Sequence, residues 1–226
     1  MRSICTLPAV VLIATAALAA PAARACETPS FAPAERLGDR GDALLVADLK
    51  HYGVTDVILL DREGRRVVVE YGTKKGPVTT WQLVLPVPGL PLAHAIGDLD
   101  GDGNLDLVVT ARPDPASDAL RVLVARGRSF GELDPFADAG AALRDRGSLD
   151  LAVADATGDG KPDVVLLAQG AASALESDLV VLLGNGAGGL GAPIRTPVAD
   201  GAVAFALGDF DGDGTLDVAL AGGNVL

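Results

Sequence analysis

The chain repeats one short acidic pattern four times, and this repeat limits the folds that the chain can adopt. The four copies read VADLKHYGVTDVILL, IGDLDGDGNLDLVVT, VADATGDGKPDVVLL and LGDFDGDGTLDVALA. Their first aspartates are Asp48, Asp98, Asp155 and Asp209, which gives spacings of 50, 57 and 54 residues. A period of this size is typical of propellers and arrays, in which each repeat is one supersecondary unit. The pattern therefore predicts several similar units and argues against one compact α/β unit.

Each acidic loop lies between two short apolar segments, and two further segments complete a full copy. DVILL, DLVVT and DVVLL follow the loops, and RRVVVEYG, LRVLVARG and DLVVLLGNG come next. Short aliphatic runs bounded by glycine-rich turns predict strands, whereas apolar residues at helical spacing are nearly absent. About four strands in a repeat of about 50 residues predict an all-β fold of propeller-type blades with antiparallel strands.

The repeat and the composition of the N-terminus divide the chain into segments. We expect a signal peptide at 1–25, an N-terminal linker at 26–42 and a repeat domain at 43–226. The predicted blades span approximately 43–90, 91–147, 148–200 and 201–226, the last being incomplete. Three complete repeats and a partial fourth correspond to a partial propeller or to a fragment of a longer protein. Self-association of two chains is one way to close such a ring.

The first 25 residues have the pattern of a secretory signal peptide. Arg2 supplies a basic start, an apolar stretch follows, and Ala23-Arg24-Ala25 forms a small-x-small cleavage site before Cys26. The pattern predicts a secreted, periplasmic or cell-surface protein. Cleavage would place Cys26 at the mature N-terminus, as in bacterial lipoproteins, but Arg24 departs from the small or apolar residue of their lipobox. We therefore do not expect lipidation.

The net charge of −12 at neutral pH limits the partners of the chain. A strongly acidic protein repels phosphate backbones and anionic membrane surfaces, so we expect no nucleic-acid partner. No segment after the signal peptide is apolar enough to span a bilayer, so we expect no membrane span. The charge favours bound cations.

The second and fourth acidic loops have the spacing of a calcium site. Ca²⁺ takes six to eight oxygen ligands, and carboxylates at alternate positions of a tight turn can surround it. The candidate ligands of the second loop are Asp98, Asp100, Asp102, Asn104 (through its carbonyl) and Asp106. Those of the fourth loop are Asp209, Asp211, Asp213, Thr215 and Asp217. The spacing therefore predicts two strong Ca²⁺ sites.

The other two loops depart from this spacing. The third offers Asp155, Asp159, Lys161 and Asp163 but has Thr157 at its third position, so we expect weaker binding there. The first has Lys50 and Tyr52 in place of ligands, and we expect no ion. An EF-hand is excluded because it needs a glutamate at position 12 and flanking helices.

These loops, together with VVLLGNGAGGLGAP, resemble the FG-GAP and VCBS repeat family, whose propellers include the head domain of integrin α subunits. Phe130-Gly131 and Gly191-Ala192-Pro193 are similar to the residue pairs that give the family its name. The resemblance extends from about residue 43 to the end of the chain. It implies an exported calcium-binding β-propeller with structural Ca²⁺ loops, a role in binding or adhesion, and a protein or polysaccharide ligand.

Patterns typical of catalysis are not found in the sequence. The two histidines, His51 and His94, lie in no metal-binding spacing, and no GxSxG motif occurs. We therefore predict no catalytic residues and a protein that is not an enzyme. Two alternatives stay open: an accessory or catalytic propeller of a polysaccharide-degrading enzyme, and a structural spacer at the cell surface.

Overall fold

The structure is a computed structural model that describes residues 6–7, 30–31, 41–74, 76–114, 116, 118–170, 176–198 and 201–222. The chain divides into two compact units, Met1–Asp39 and Arg40–Leu226. In the first unit, β1 (Thr6–Leu7) pairs in parallel with β2 (Ser30–Phe31). The rest of the predicted signal peptide, with Cys26, lies outside the described residues.

The second unit consists of antiparallel strands. The first sheet contains β3 (Ala43–Ala47), β4 (Asp56–Asp61), β5 (Arg66–Thr73) and β6 (Gly76–Pro86) in chain order. A seven-stranded sheet follows, with β7 (Leu90–Gly97), β8 (Asp106–Arg112), β9 (Ala119–Ala125), β10 (Ala137–Ala154), β11 (Asp163–Gly170), β12 (Ser177–Gly184) and β13 (Leu190–Val198). The last sheet is the hairpin of β14 (Ala202–Gly208) and β15 (Asp217–Gly222). A single 3-10 turn at Ser129–Gly131 is the one helical element of the described residues, and none of their helices could cross a membrane.

One long strand joins two four-stranded groups within the seven-stranded sheet. The first half of β10 pairs with β9 up to Arg144, and the second half pairs with β11 from Asp145 onward. The chain therefore passes from the outer strand of one group to the first strand of the next without a loop. Counted in this way, each complete group has four antiparallel strands, which confirms the predicted all-β class.

A buried ion pair lies where β10 passes between the two groups. Asp145 is 1% exposed, and both of its carboxylate oxygens accept hydrogen bonds from Arg195 of β13, at 2.6 and 3.0 Å. Arg195 also donates to Asp178 of β12 at 3.0 Å. A buried carboxylate needs such a partner because its desolvation would otherwise destabilise the fold. The ion pair therefore holds the middle of β10 to β13, and through Arg195 also to β12.

The strand groups pack face to face through two apolar layers. Leu107 and Val109 of β8 contact one layer, together with Ile58 of the first sheet. Val108 points to the opposite face and joins the second layer with Leu166 of β11. Because side chains alternate along a strand, a strand buried on both faces must be apolar at nearly every position. This explains the uninterrupted runs DVILL, DLVVT and DVVLL.

A buried histidine lies between the first two groups. His94 of β7 is 7% exposed, its ring is hydrogen-bonded to the backbone of Ile58, and its Nε2 has no partner within the described residues. Burial lowers the pKa of His94 to about 4. The hydrogen bond to Ile58 opposes this shift, whereas the positive charge of Arg62, which donates to the Leu92 carbonyl at 2.6 Å, adds to it. The folded protein therefore favours the neutral ring.

Lowering the pH from 7 to 5 is expected to reduce the free energy of unfolding by about 2 kcal/mol through His94. The pKa is about 4 in the folded state and 6.5 ordinarily, so the unfolded chain takes up the proton first and stability is lost as the pH falls through this window. Urea unfolding of the wild-type protein and of His94→Gln at both pH values measures the effect. The variant cannot titrate at this position, and equal losses in the two proteins would contradict the prediction.

Candidate functional site

The four acidic loops lie at equivalent places, between the first and second strands of each strand group. They span 48–55, 98–105, 155–162 and 209–216. Successive strands of each group run in opposite directions, so the turns between third and fourth strands lie at the same end of the sheets. The acidic loops and these turns can therefore contact one another.

In each loop, the first aspartate binds the backbone of its own loop. Asp98 accepts hydrogen bonds from the N–H groups of Gly101, Asp102 and Gly103 at 2.8–3.1 Å. Asp155 and Asp209 are surrounded in the same way. The second and fourth loops can turn this tightly because their glycines adopt positive φ, which costs glycine no steric strain.

The divergent first loop keeps the same backbone conformation. Asp48 accepts hydrogen bonds from the N–H groups of Tyr52 and Gly53 at 3.0 and 2.6 Å. His51, at the position of Gly101 in the second loop, has a φ of 55°. The loop conformation therefore does not depend on having every aspartate or every glycine of the pattern.

The last aspartate of the pattern ties the loop to the third strand of its group. Asp106 is 1% exposed, and its two oxygens accept hydrogen bonds from the N–H groups of Leu99 at 2.9 Å and Gly127 at 2.7 Å. Burial raises its pKa, these two hydrogen bonds oppose that shift, and the charges of Asp100 and Asp102 add to it. Equivalent pairs of bonds join Asp56 to Leu49 and Gly72, and Asp163 to Ala156 and Gly184.

The glycines at the end of the third strands were not recognised as part of the site from the sequence. A Cβ added to Gly127 would lie 2.4 Å from the carbonyl oxygen of Leu105. Equivalent atoms on Gly72 and Gly184 would lie 2.0 and 1.9 Å from the carbonyl oxygens of Thr55 and Pro162. The sequence signal was the glycine that ends EYG, ARG and LLG. Only glycine lets the third strand approach the loop closely enough to donate to the last aspartate.

Two groups of carboxylates are close enough to share a cation. Oxygens of Asp98, Asp100 and Asp106 lie within 4.8 Å of one another, and so do oxygens of Asp209, Asp211 and Asp213. Such an all-oxygen set suits a hard divalent cation. The structure thus brings together three of the predicted ligands in each of the second and fourth loops.

The remaining predicted ligands of these two loops have other contacts. Asp102 accepts a hydrogen bond from the Asn104 N–H at 2.8 Å, which lowers its pKa. Thr215 donates to Asp213 from its hydroxyl and from its N–H, and the pKa of Asp213 is lowered as well. Asp217 accepts from the N–H of Phe210 at 3.0 Å. These bonds help to shape the loops.

In the third loop, the described residues contain no comparable group of three carboxylates. The Nζ of Lys161 lies 3.2 Å from Asp159, whose pKa is lowered first by the Lys161 N–H and then by the lysine side chain. Thr157 donates to Asp163 at 3.4 Å. A lysine thus supplies positive charge close to the loop carboxylates.

In the first loop, a lysine ammonium lies beside the last aspartate. The Nζ of Lys50 is 3.5 Å from Asp56, 3.4 Å from the Gly72 carbonyl oxygen and 4.6 Å from the centre of the Tyr71 ring. The charge of Asp56 is therefore compensated by a side chain of the same loop, and the aromatic face adds a cation–π contact.

The turn of one strand group contacts the preceding group at its third strand or at its acidic loop. Tyr71 Oη of the first group donates to the carbonyl of Gly131, in the FG turn of the second, at 2.8 Å. In the next pair, the Gly188 N–H donates to the Leu99 carbonyl at 3.2 Å. The acidic loops are therefore part of the contact between neighbouring groups.

Comparisons with known proteins agree with this architecture. The FG-GAP-like repeat family matches residues 155–220, from the first aspartate of the third loop into β15. In the crystal structure of BBS1N in complex with ARL6DN, soaked with lead, BBS1N is similar to this chain, with a TM-score of 0.52 and 14% identity. The similarity covers 82% of this chain and 52% of that one, so this chain spans about half the length of its neighbour. At this identity the likeness shows the fold alone, a β-propeller. None of the curated proteins matches the sequence.

Gly127→Ala is expected to lower the free energy of unfolding by about 1–3 kcal/mol, because the new methyl group would overlap the Leu105 carbonyl oxygen. Gly147→Ala is the matched control, since its Cβ would meet no atom closer than 3.8 Å. We expect the control to change the stability by no more than about 0.5 kcal/mol. Chemical denaturation of the two variants measures both values. A Gly127→Ala protein as stable as the control would show that the close approach is not required.

Proposed function

We propose that this FG-GAP-like repeat protein, built from the sheets of a β-propeller, binds Ca²⁺ in its second and fourth acidic loops and acts as an exported binding protein. The observation that carries the proposal is the grouping of three carboxylates within 4.8 Å in each of these loops. Like charges at this distance repel one another, and a bound cation converts that repulsion into attraction. Among the described residues, no lysine or arginine forms an ion pair with Asp211 of the fourth loop.

The donor set favours Ca²⁺ over Mg²⁺. Ca²⁺ accepts six to eight oxygens in flexible geometry, whereas Mg²⁺ demands a nearly ideal octahedron and retains its waters. Each loop offers carboxylates on a short turn that can add backbone carbonyls and water to the set. Extracellular modules bind Ca²⁺ with dissociation constants of about 10⁻⁴–10⁻³ M, which suits the export that residues 1–25 predict.

The proposed cation has a structural role. The last aspartate already joins its loop to the third strand, as Asp106 does through Leu99 and Gly127. A cation shared by Asp98, Asp100 and Asp106 would brace the first strand, the loop and the second strand of the same group. The patterned aspartates are therefore engaged in the loops, which supports a binding role over catalysis. The ligand we propose is a protein or a polysaccharide at the cell surface.

Addition of Ca²⁺ to the chelator-treated protein is expected to raise its free energy of unfolding by about 1.4 kcal/mol per site at a concentration tenfold above the dissociation constant. The rise occurs because Ca²⁺ binds the folded loops and not the unfolded chain. Thermal unfolding with excess chelator and then with about 10 mM Ca²⁺ measures it. Changing both Asp98 and Asp209 to alanine should remove the rise.

Asp48→Ala provides the matched control. Asp48 also holds its loop through two backbone N–H groups, but the first loop has no group of three carboxylates among the described residues. The control should therefore be less stable than the wild type and still respond fully to Ca²⁺. A wild-type protein indifferent to Ca²⁺, or an equal response to Mg²⁺, would contradict the calcium assignment.

The binding role is tested separately with arrays of polysaccharides and extracellular proteins, probed in Ca²⁺ and in chelator. A ligand retained in Ca²⁺ and lost with the double variant Asp98→Ala/Asp209→Ala supports the proposal. Turnover of a polysaccharide in the same assay would instead identify an enzyme, and the absence of any ligand would favour a structural spacer.

A further inference from the structure

We propose that Arg126 sets the cation affinity of the second loop by competing with the cation for Asp100. This inference rests on the proposed function, because it concerns one of the two loops that we propose to bind Ca²⁺. Its basis is a side chain outside the acidic pattern that contacts one of the three grouped carboxylates.

Arg126 directly follows β9 and makes two directed contacts. Its Nη1 donates to Oδ2 of Asp100 at 2.5 Å, and its Nη2 donates to the carbonyl of Ala187 in the next strand group at 2.9 Å. Asp100 is 16% exposed and the arginine side chain 40% exposed, so water screens this pair only in part. Gly188 makes room for the guanidinium, since a Cβ there would lie 2.5 Å from Nη2.

The same two positions contact each other in the first strand group, with different chemistry. The residue before the third-strand glycine is Tyr71 there, and the third residue of the loop is Lys50, whose Nζ lies over the Tyr71 ring. In the second group the corresponding residues are Arg126 and Asp100. Each pairing matches a positive group with an electron-rich one, and Tyr71, like Arg126, also donates to a carbonyl of the following group.

A cation and a guanidinium on the same carboxylate oppose each other. Without a cation, Arg126 compensates the charge of Asp100 and links the loop to the Ala187 turn. A divalent cation bound by Asp98, Asp100 and Asp106 must either displace the guanidinium or bind beside its positive charge. Both cost affinity, because each weakens the attraction between the cation and Asp100.

The fourth loop is an internal reference for this effect. Its sequence, DFDGDGTLD, is nearly that of the second loop, DLDGDGNLD, and its third residue is Asp211. Among the described residues, no lysine or arginine is ion-paired with Asp211. The response of the fourth loop to Ca²⁺ should therefore not depend on Arg126.

Titration of the ¹⁵N-labelled full chain with Ca²⁺ alone tests the proposal, because amide signals report each loop separately. The N–H groups of Gly103 and Gly214 donate to the first aspartates of the second and fourth loops at 2.9 and 3.0 Å. In the wild type, both signals should shift as Ca²⁺ is added. In Arg126→Gln, the Gly103 midpoint should fall roughly three- to tenfold while that of Gly214 stays unchanged.

Arg128→Gln is the matched control, because it removes an equal charge two residues away. Arg128 is ion-paired with Asp134 instead of with the grouped carboxylates. Its loss should change the Gly103 midpoint less than the loss of Arg126 does.

Arg126→Lys is the second variant. It keeps the positive charge but cannot reproduce both directed contacts, so its Gly103 midpoint should lie between those of the wild type and Arg126→Gln.

Stability in chelator distinguishes competition from a purely structural role. Arg126→Gln should lower the melting temperature in chelator, because Asp100 loses its counter-charge and the link to Ala187 is broken, and yet it should raise the Ca²⁺ affinity of the same loop. A residue that only supports the fold would lower both.

An unchanged or raised Gly103 midpoint in Arg126→Gln would overturn the inference, and so would an equal effect of Arg128→Gln. Either result leaves the proposed function intact as long as both glycine signals respond in the wild-type protein. If neither signal responds up to about 10 mM Ca²⁺, the proposed function fails and the inference fails with it.

Discussion

The structure depends on a buried carboxylate that accepts hydrogen bonds from two backbone segments at once. Asp56, Asp106 and Asp163 each begin a second strand, and each binds one N–H of its own loop and one N–H at the end of the third strand. A buried carboxylate without such donors would destabilise the fold by its desolvation. The three strands of a group can therefore come together in only one register at this end, and the acidic loop is held in place before any cation binds.

The same interaction explains why a glycine lies at the end of each third strand, opposite the last aspartate of the loop. Gly127 donates to Asp106 while its Cα lies against the Leu105 carbonyl, and a side chain would force the two strands apart. By contrast, the first loop has lost most of its acidic pattern and retains Asp56 and Gly72 with the same contacts. The last aspartate and the third-strand glycine therefore have a structural role that does not require the other aspartates of the loop. Those other aspartates are the residues specific to the proposed cation site.

Much of the fold could be predicted from the sequence because its signals are local. The period of the aspartates and the apolar run after each loop predicted antiparallel strands in groups of about four. The alternate aspartates predicted sets of five ligands, of which three carboxylates lie close together in the second loop and three in the fourth. The continuous strand β10 and the contacts of Arg126 could not be predicted, because they depend on segments far apart in the chain. Arg126 and Ala187 are 61 residues apart, and no sequence pattern links them. The sequence also did not predict that Asp106 accepts backbone hydrogen bonds in addition to being a candidate ligand, because an aspartate can do either.

The four loops also differ in how their negative charge is compensated. In the first loop Lys50 supplies an ammonium group beside Asp56, and in the third Lys161 is paired with Asp159. In the second, Arg126 reaches Asp100 from the neighbouring strand. The fourth loop has no such ion pair among the described residues. Because the first aspartate accepts backbone hydrogen bonds in every loop, the loops differ mainly in the cationic side chain that lies beside their carboxylates, and the calcium proposal for the second loop requires the ion to bind next to Arg126.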